Sequence, residues 1–201
     1  MRYDDNHKER TRARVLAEAA AAIRGKGVER VGVAEVMAGA GLTHGGFYAH
    51  FKSKDDLLTE AISYMFDAAY VSFLRHTEGR APADAISNYI DAYLATSHRD
   101  DRAHGCPIAA LSGDLPNMPA PARARFADGT ERLVAALGKL VKKVGAKNAE
   151  ALAWSALAEM AGALALSRAV SDPETSNAIL RNSRAMVKSR LGLDRRAQRV
   201  G

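Results

Sequence analysis

Two glycines stand side by side, Gly45 and Gly46, in the stretch from Gly41 to Lys54, which otherwise reads as a short helix. Each should cost about 1 kcal/mol relative to alanine in a helix interior, so a chain that keeps both needs a bare backbone there. Close approach of the backbone to a partner is such a need. The residues around the pair narrow the kind of partner. Tyr48, His50, Lys52 and Lys54 bring a hydroxyl, an imidazole and two ammonium groups, a donor set matched to the phosphate oxygens of DNA. Phe47 and Phe51, four apart, fall on the other side and anchor the segment to a small core.

Upstream, Val15, Leu16, Ala19, Ala20 and Ile23 repeat at helical spacing until Gly25-Lys26-Gly27, which predicts a first helix over roughly 7–24. Its first turns carry Lys8, Arg10, Arg12 and Arg14, a basic cluster that serves either a DNA backbone or solvent. A second, short helix over roughly 33–40 buries Val36 and Met37 and ends at Gly41, suited to a left-handed C-cap. Thr43 then stands where its hydroxyl would cap the next helix. Two short helices joined by a tight glycine-containing turn make a helix-turn-helix.

The segment from Ala38 to Leu58, in which Gly41-Leu42-Thr43 leads to Gly46-Phe47-Tyr48-Ala49-His50-Phe51 and then to Ser53-Lys54-Asp55-Asp56-Leu57-Leu58, closely resembles the signature of TetR-type transcriptional regulators. Few aromatics, abundant alanine and no sustained Val/Ile/Thr alternation argue for an all-α fold, and the residues after Leu193 read as a basic tail over 194–201. The resemblance implies an N-terminal three-helix DNA-binding domain over 1–53 and a helical ligand-binding and dimerisation domain over 54–193. It implies that Thr43, His44, Gly45 and Gly46 face base edges and nearby phosphates. Tyr48, His50 and Lys54 would hold the sugar-phosphate backbone, and Lys52 joins the DNA-binding set through its donor chemistry. Taken singly, His44 reads equally well as an exposed polar residue and Tyr48 as a packing residue. Gly32 and Val33 stand where such proteins often carry a Thr or Ser that contacts phosphate, which leaves that anchor to backbone N–H groups.

Ser53 and Asp56 form a capping box that starts a long helix at about Lys54. Leu58, Ile62, Met65, Phe66, Ala69, Tyr70 and Phe73 carry it to about His76, so one element leaves the DNA-binding unit and enters the rest of the chain. The next helix is expected over 83–97, with Tyr89 and Tyr93 either in its core face or lining an effector pocket. A polar loop, His98 to Pro107, follows. Pro107 suits a first helical turn, which puts the single cysteine, Cys106, at a helix start near Arg102 and His104. Such surroundings favour a thiolate, the reactive form, whereas a small buried thiol packed on Ile108 and Leu111 is the alternative. The Gly-Cys-Pro segment also resembles a subgroup of TetR-type regulators, some of which sense oxidants or electrophiles through cysteine. His98, His104 and Cys106 lack a fourth metal ligand at supporting spacing, so neither a metal nor a cofactor is expected.

Beyond the prolines at 116, 119 and 121, helices are expected over 122–144, over the alanine-rich 148–170, and from the Asp172-Pro173 cap onward. In the resembled family the last two pair with their copies as a four-helix bundle. The net charge is +6, and residues 1–54 hold ten basic against six acidic side chains, a balance that suits a polyanionic partner. No membrane span and no signal-peptide pattern is read, so a cytoplasmic location is expected. The leading expectation is a homodimeric regulator, a repressor released from a pseudo-palindromic operator in double-stranded DNA by a small ligand or by modification of Cys106. A thiol-dependent enzyme built on Cys106 and His104, and a DNA-binding protein without an inducer, are the alternatives; no catalytic residue is assigned.

Overall fold

The computed structural model describes residues 2–193, with side chains described from His7 on; the basic residues Arg195, Arg196 and Arg199 of the expected tail lie outside the described residues. Every regular element among the described residues is helical. They are α1 (Arg2–Lys26), α2 (Val33–Gly39), a 3-10 helix (His44–Ala49), α3 (Lys54–Thr77), α4 (Pro82–Tyr93), α5 (Thr96–Asp100), α6 (Pro107–Leu111), a 3-10 turn (Leu115–Asn117), α7 (Ala120–Lys143), α8 (Ala149–Ala169) and α9 (Pro173–Arg190). Contacts group them into two compact units. The first holds the chain up to Ala68 together with Arg102–Gly129; the second holds Ala69–Asp101 and the chain from Thr130 on.

In the first unit α1, α2 and the 3-10 helix close around Val15, Ala19, Val36, Met37, Phe47 and Phe51, all buried. The turn after α2 is fixed by backbone chemistry. Leu42 N–H donates to Met37 O at 2.9 Å and Gly41 N–H to Ala38 O at 2.9 Å, with Gly41 at φ +71°, the complete Schellman arrangement. The loop and helix that follow Asp101 also belong here. The Arg24 guanidinium, buried in the same unit, donates to Ala103 O at 2.6 Å, and α6 packs on α1. Further along, α7 meets α3 at Gly129. A Cβ there would lie 2.2 Å from Phe66 Cγ, so only glycine admits that ring, which meets Phe126 edge to face at 5.3 Å.

In the second unit α8 and α9 form a helical hairpin. The Asp172 carboxylate caps α9 by accepting from Thr175 N–H at 2.8 Å, as its position before Pro173 predicts. The single helix expected over 83–97 is instead two, α4 and α5, broken at Leu94 and Ala95. At the break Arg184 of α9 donates to Leu94 O, and at the C-terminal end of α5 Arg168 of α8 donates to Arg99 O at 3.0 Å and His98 O at 2.9 Å. Two guanidinium groups thus satisfy carbonyls at the ends of these two short helices. Among the described residues α8 is long and apolar enough, by length and composition, to cross a membrane, a possibility the sequence reading had not registered. Its alanines raise the mean hydropathy while it packs along α9 as a core helix does.

Candidate nucleic-acid interface

The segment from His44 to Ala49 is a 3-10 helix and not the α-helix its neighbours suggest. Gly46 N–H donates to Thr43 O at 3.1 Å and His50 N–H to Phe47 O at 2.9 Å. The tighter i to i+3 winding is short and suits a glycine pair with little helical preference. It also overturns the expected role of the Thr43 side chain. Thr43 is the N-cap, but its hydroxyl makes no capping bond and stays exposed. The carbonyl alone takes the first amide, which leaves the hydroxyl on the surface.

Phe47 and Phe51 stack at 5.7 Å between ring centres and are buried, which pins the segment to the core and turns its other side outward. On that side Thr43, His44, Gly45, Lys52 and Lys54 are exposed, and Tyr48 is 73% exposed. A tyrosine packing in the core would not be, so the outward hydroxyl is a feature of the surface. A Cβ on Gly45 would meet nothing within 4 Å, and one on Gly46 only the end of the Met37 side chain at 3.6 Å. Nothing inside the subunit therefore demands these two glycines. After the segment, Asp56 N–H donates to Ser53 Oγ at 3.1 Å, and the Asp56 carboxylate accepts from Lys52 N–H at 2.9 Å. This capping box reaches one residue further back than expected, and it orders the backbone between Lys52 and Lys54.

His50 sits at the end of the 3-10 helix, half-buried. Burial, and then the Lys8 and Arg12 cations of α1, hold its imidazole below the ordinary histidine range. Lys8 and Arg12 of the α1 basic cluster are thus beside the segment. Gly32, the N-cap of α2, makes no side-chain capping bond, as a glycine there requires.

The residues considered for sensing fall in different units. Cys106, in the first, is the N-cap of the five-residue α6 and only 4% exposed, with Ile108 and Leu111 buried after it, while His104 is exposed. So short a helix carries little macrodipole, and a reagent reaches the thiol only when the loop opens. Tyr89 and Tyr93, in the second unit, are buried in an edge-to-face run from Phe73 through Tyr89 and Tyr93 to His98. Burial lowers the His98 pKa, and its hydrogen bond to Tyr93 O at 2.7 Å opposes that.

A buried aromatic anchor with a row of hydrogen-bond donors turned outward beside a capped turn is how a helix-turn-helix protein presents itself to DNA. Residues 15–61 match the model for bacterial regulatory proteins of the tetR family, and residues 82–181 match the C-terminal domain of LmrA/YxaF-like transcriptional regulators. The chain belongs to the TetR family of DNA-binding transcriptional regulators. Solved structures share the fold. E. coli NemR in its reduced form aligns with a TM-score of 0.78 at 20% identity, over 89% of this chain and 95% of that one. A TetR regulator from Chloroflexus aurantiacus aligns with a TM-score of 0.78 at 24% identity, over 92% and 95%. One from Legionella pneumophila gives 0.74 at 22%, over 88% and 94%. Among curated protein sequences none matches this chain.

Proposed function

We propose that the protein is a homodimeric repressor that occupies a pseudo-palindromic operator and releases it when a small ligand binds or the Cys106 thiol is modified. The observation that carries the DNA half is the outward row of Thr43, His44, Tyr48, Lys52 and Lys54 around two glycines the subunit itself does not need. In this reading Gly45 and Gly46 let the backbone approach the duplex, and Thr43 and His44 meet base edges. Tyr48, His50, Lys52 and Lys54 hold phosphates, so affinity falls steeply with salt. A DNA partner implies a cytoplasmic location.

The dimer half is supported by the outer face of the α8–α9 hairpin. Trp154, Leu166 and Met186 are 42%, 60% and 63% exposed, large apolar groups that a second copy would cover. Two copies then read two half-sites about one helical turn apart. The release half is supported by the docking of α6 and the Ala103 carbonyl on α1, which ties the Cys106 loop to the unit that carries the 3-10 segment. The functional boundary is placed at Lys54, between a reading domain over 1–53 and a regulatory domain over 54–193. Membership of the Gly-Cys-Pro subgroup is part of the same proposal. One structural relative was solved in a form described as reduced; Cys106 would respond analogously, its burial requiring the loop to open first.

Footprinting on the DNA that flanks the protein's own coding region tests the reading. Two protected half-sites related by a twofold axis are expected. Protection without symmetry removes the dimeric reading, and protection unchanged by any thiol reagent or ligand leaves a DNA-binding protein without an inducer.

A further inference from the structure

Lys8 and Arg12 stand one turn apart on one face of α1, ahead of the residues 15–61 that match the family model. Arg12 is held in place. Its guanidinium carbon lies 5.0 Å from the centre of the Phe51 ring, and its Nη2 lies 3.2 Å from Glu60 Oε1 on α3. His50, next to Phe51, faces both cations. Its Nδ1 is buried with no hydrogen-bond partner. Two cations and one protonatable ring therefore converge from two elements, and among the described residues Glu60 is the carboxylate that pairs with Arg12. Crowding of this kind is unfavourable in the free protein and is relieved by an anion placed among the three groups.

We propose that Lys8, Arg12 and His50 form a phosphate seat beside the reading segment, which takes a phosphodiester of the DNA backbone while His50 takes up a proton from solvent. The proposal rests on the DNA-binding reading and adds to it a contact outside the 3-10 segment and a dependence on pH. The sign follows from the surroundings of the ring. In the free protein burial, then Lys8 and Arg12, disfavour the charged form of His50. A bound phosphate favours the charged form, so binding and protonation promote one another and affinity rises as pH falls.

Phosphate contacts carry no sequence information, so a mixed-sequence duplex about three helical turns long serves as the probe. Wild-type affinity should rise about threefold to tenfold from pH 8 to pH 6. His50→Gln should bind more weakly than wild type at every pH and lose most of that rise; His44 and His7, present in both proteins, cancel in the comparison. Lys8→Ala and Arg12→Ala should each lower the dependence of log affinity on log salt by about one. Arg12→Lys, which keeps the charge, should retain the slope and separates loss of the phosphate contact from loss of the contacts to Phe51 and Glu60. A duplex bound by His50→Gln with the same pH dependence as wild type overturns the seat alone. A duplex bound at no pH overturns the DNA reading and the seat together.

Discussion

The outer side of the 3-10 segment and the outer face of α8 and α9 are both left uncovered by their own unit, yet they are uncovered in opposite ways. The first exposes donors and bare backbone: Tyr48, His44, Lys52, Lys54 and the two glycines. The second exposes Trp154, Leu166 and Met186, with Ala158 and Gly162 along the same helix. Water tolerates the first surface well and the second poorly. The difference fits the proposed roles: the donor surface can wait in solvent for a polyanion, whereas the apolar one would be covered by a second copy. The reading surface therefore suits a contact that opens and closes, and the hairpin face a permanent one.

Substitutions can break this contrast or sharpen it. The largest effect should come from Phe47→Ala, which removes the ring that turns the donor surface outward; unfolding in urea should show a loss of about 3–5 kcal/mol and duplex binding should disappear. A loss under about 1 kcal/mol would mean that the aromatic anchor is not what holds the segment. Next, Leu166→Asp combined with Met186→Asp should convert the dimer to monomers in sedimentation. Duplex affinity should then fall about a hundredfold through lost bivalency, with helicity retained; a dimer that survives both charges places the interface elsewhere. Tyr48→Phe and Lys54→Ala should each cost about 1 kcal/mol of duplex affinity across sequences, measured by fluorescence anisotropy. If the pair together leaves affinity intact, the backbone-anchor assignment is wrong. The finest test uses one glycine from each surface, Gly45 and Gly162, where an added Cβ would meet nothing within 4 Å. Alanine at either should raise stability by up to about 1 kcal/mol. Gly45→Ala should weaken DNA binding alone and Gly162→Ala dimerisation alone, and a reversal of that pattern would dissolve the contrast.

Where the fold was legible, the signals were periodic or stereochemical. The glycine at 41, Pro107 at the start of α6 and Asp172-Pro173 at the start of α9 marked boundaries because their backbone requirements are local. The break between α4 and α5 was not legible, since Leu94 and Ala95 carry no breaker chemistry and the donor that satisfies the Leu94 carbonyl, Arg184, lies far along the chain. The 3-10 winding of the reading segment was missed for a related reason: a glycine pair signals weak helix preference but not which tighter turn replaces it. At the site, residue types named the donors, while the approach of Lys8 and Arg12 to His50 depends on how α1 packs. The grouping of Arg102–Gly129 with the N-terminal helices likewise rests on contacts that no spacing encodes.

The seat of Phe66 against Gly129 has a mechanical consequence. A ring lodged where any other residue would collide acts as a tooth in a notch between α3 and α7. Rods keyed in this way cannot slip lengthwise past each other without first withdrawing the ring, but they can rotate about it. The crossing is therefore locked against sliding by one contact, placed inside the first unit.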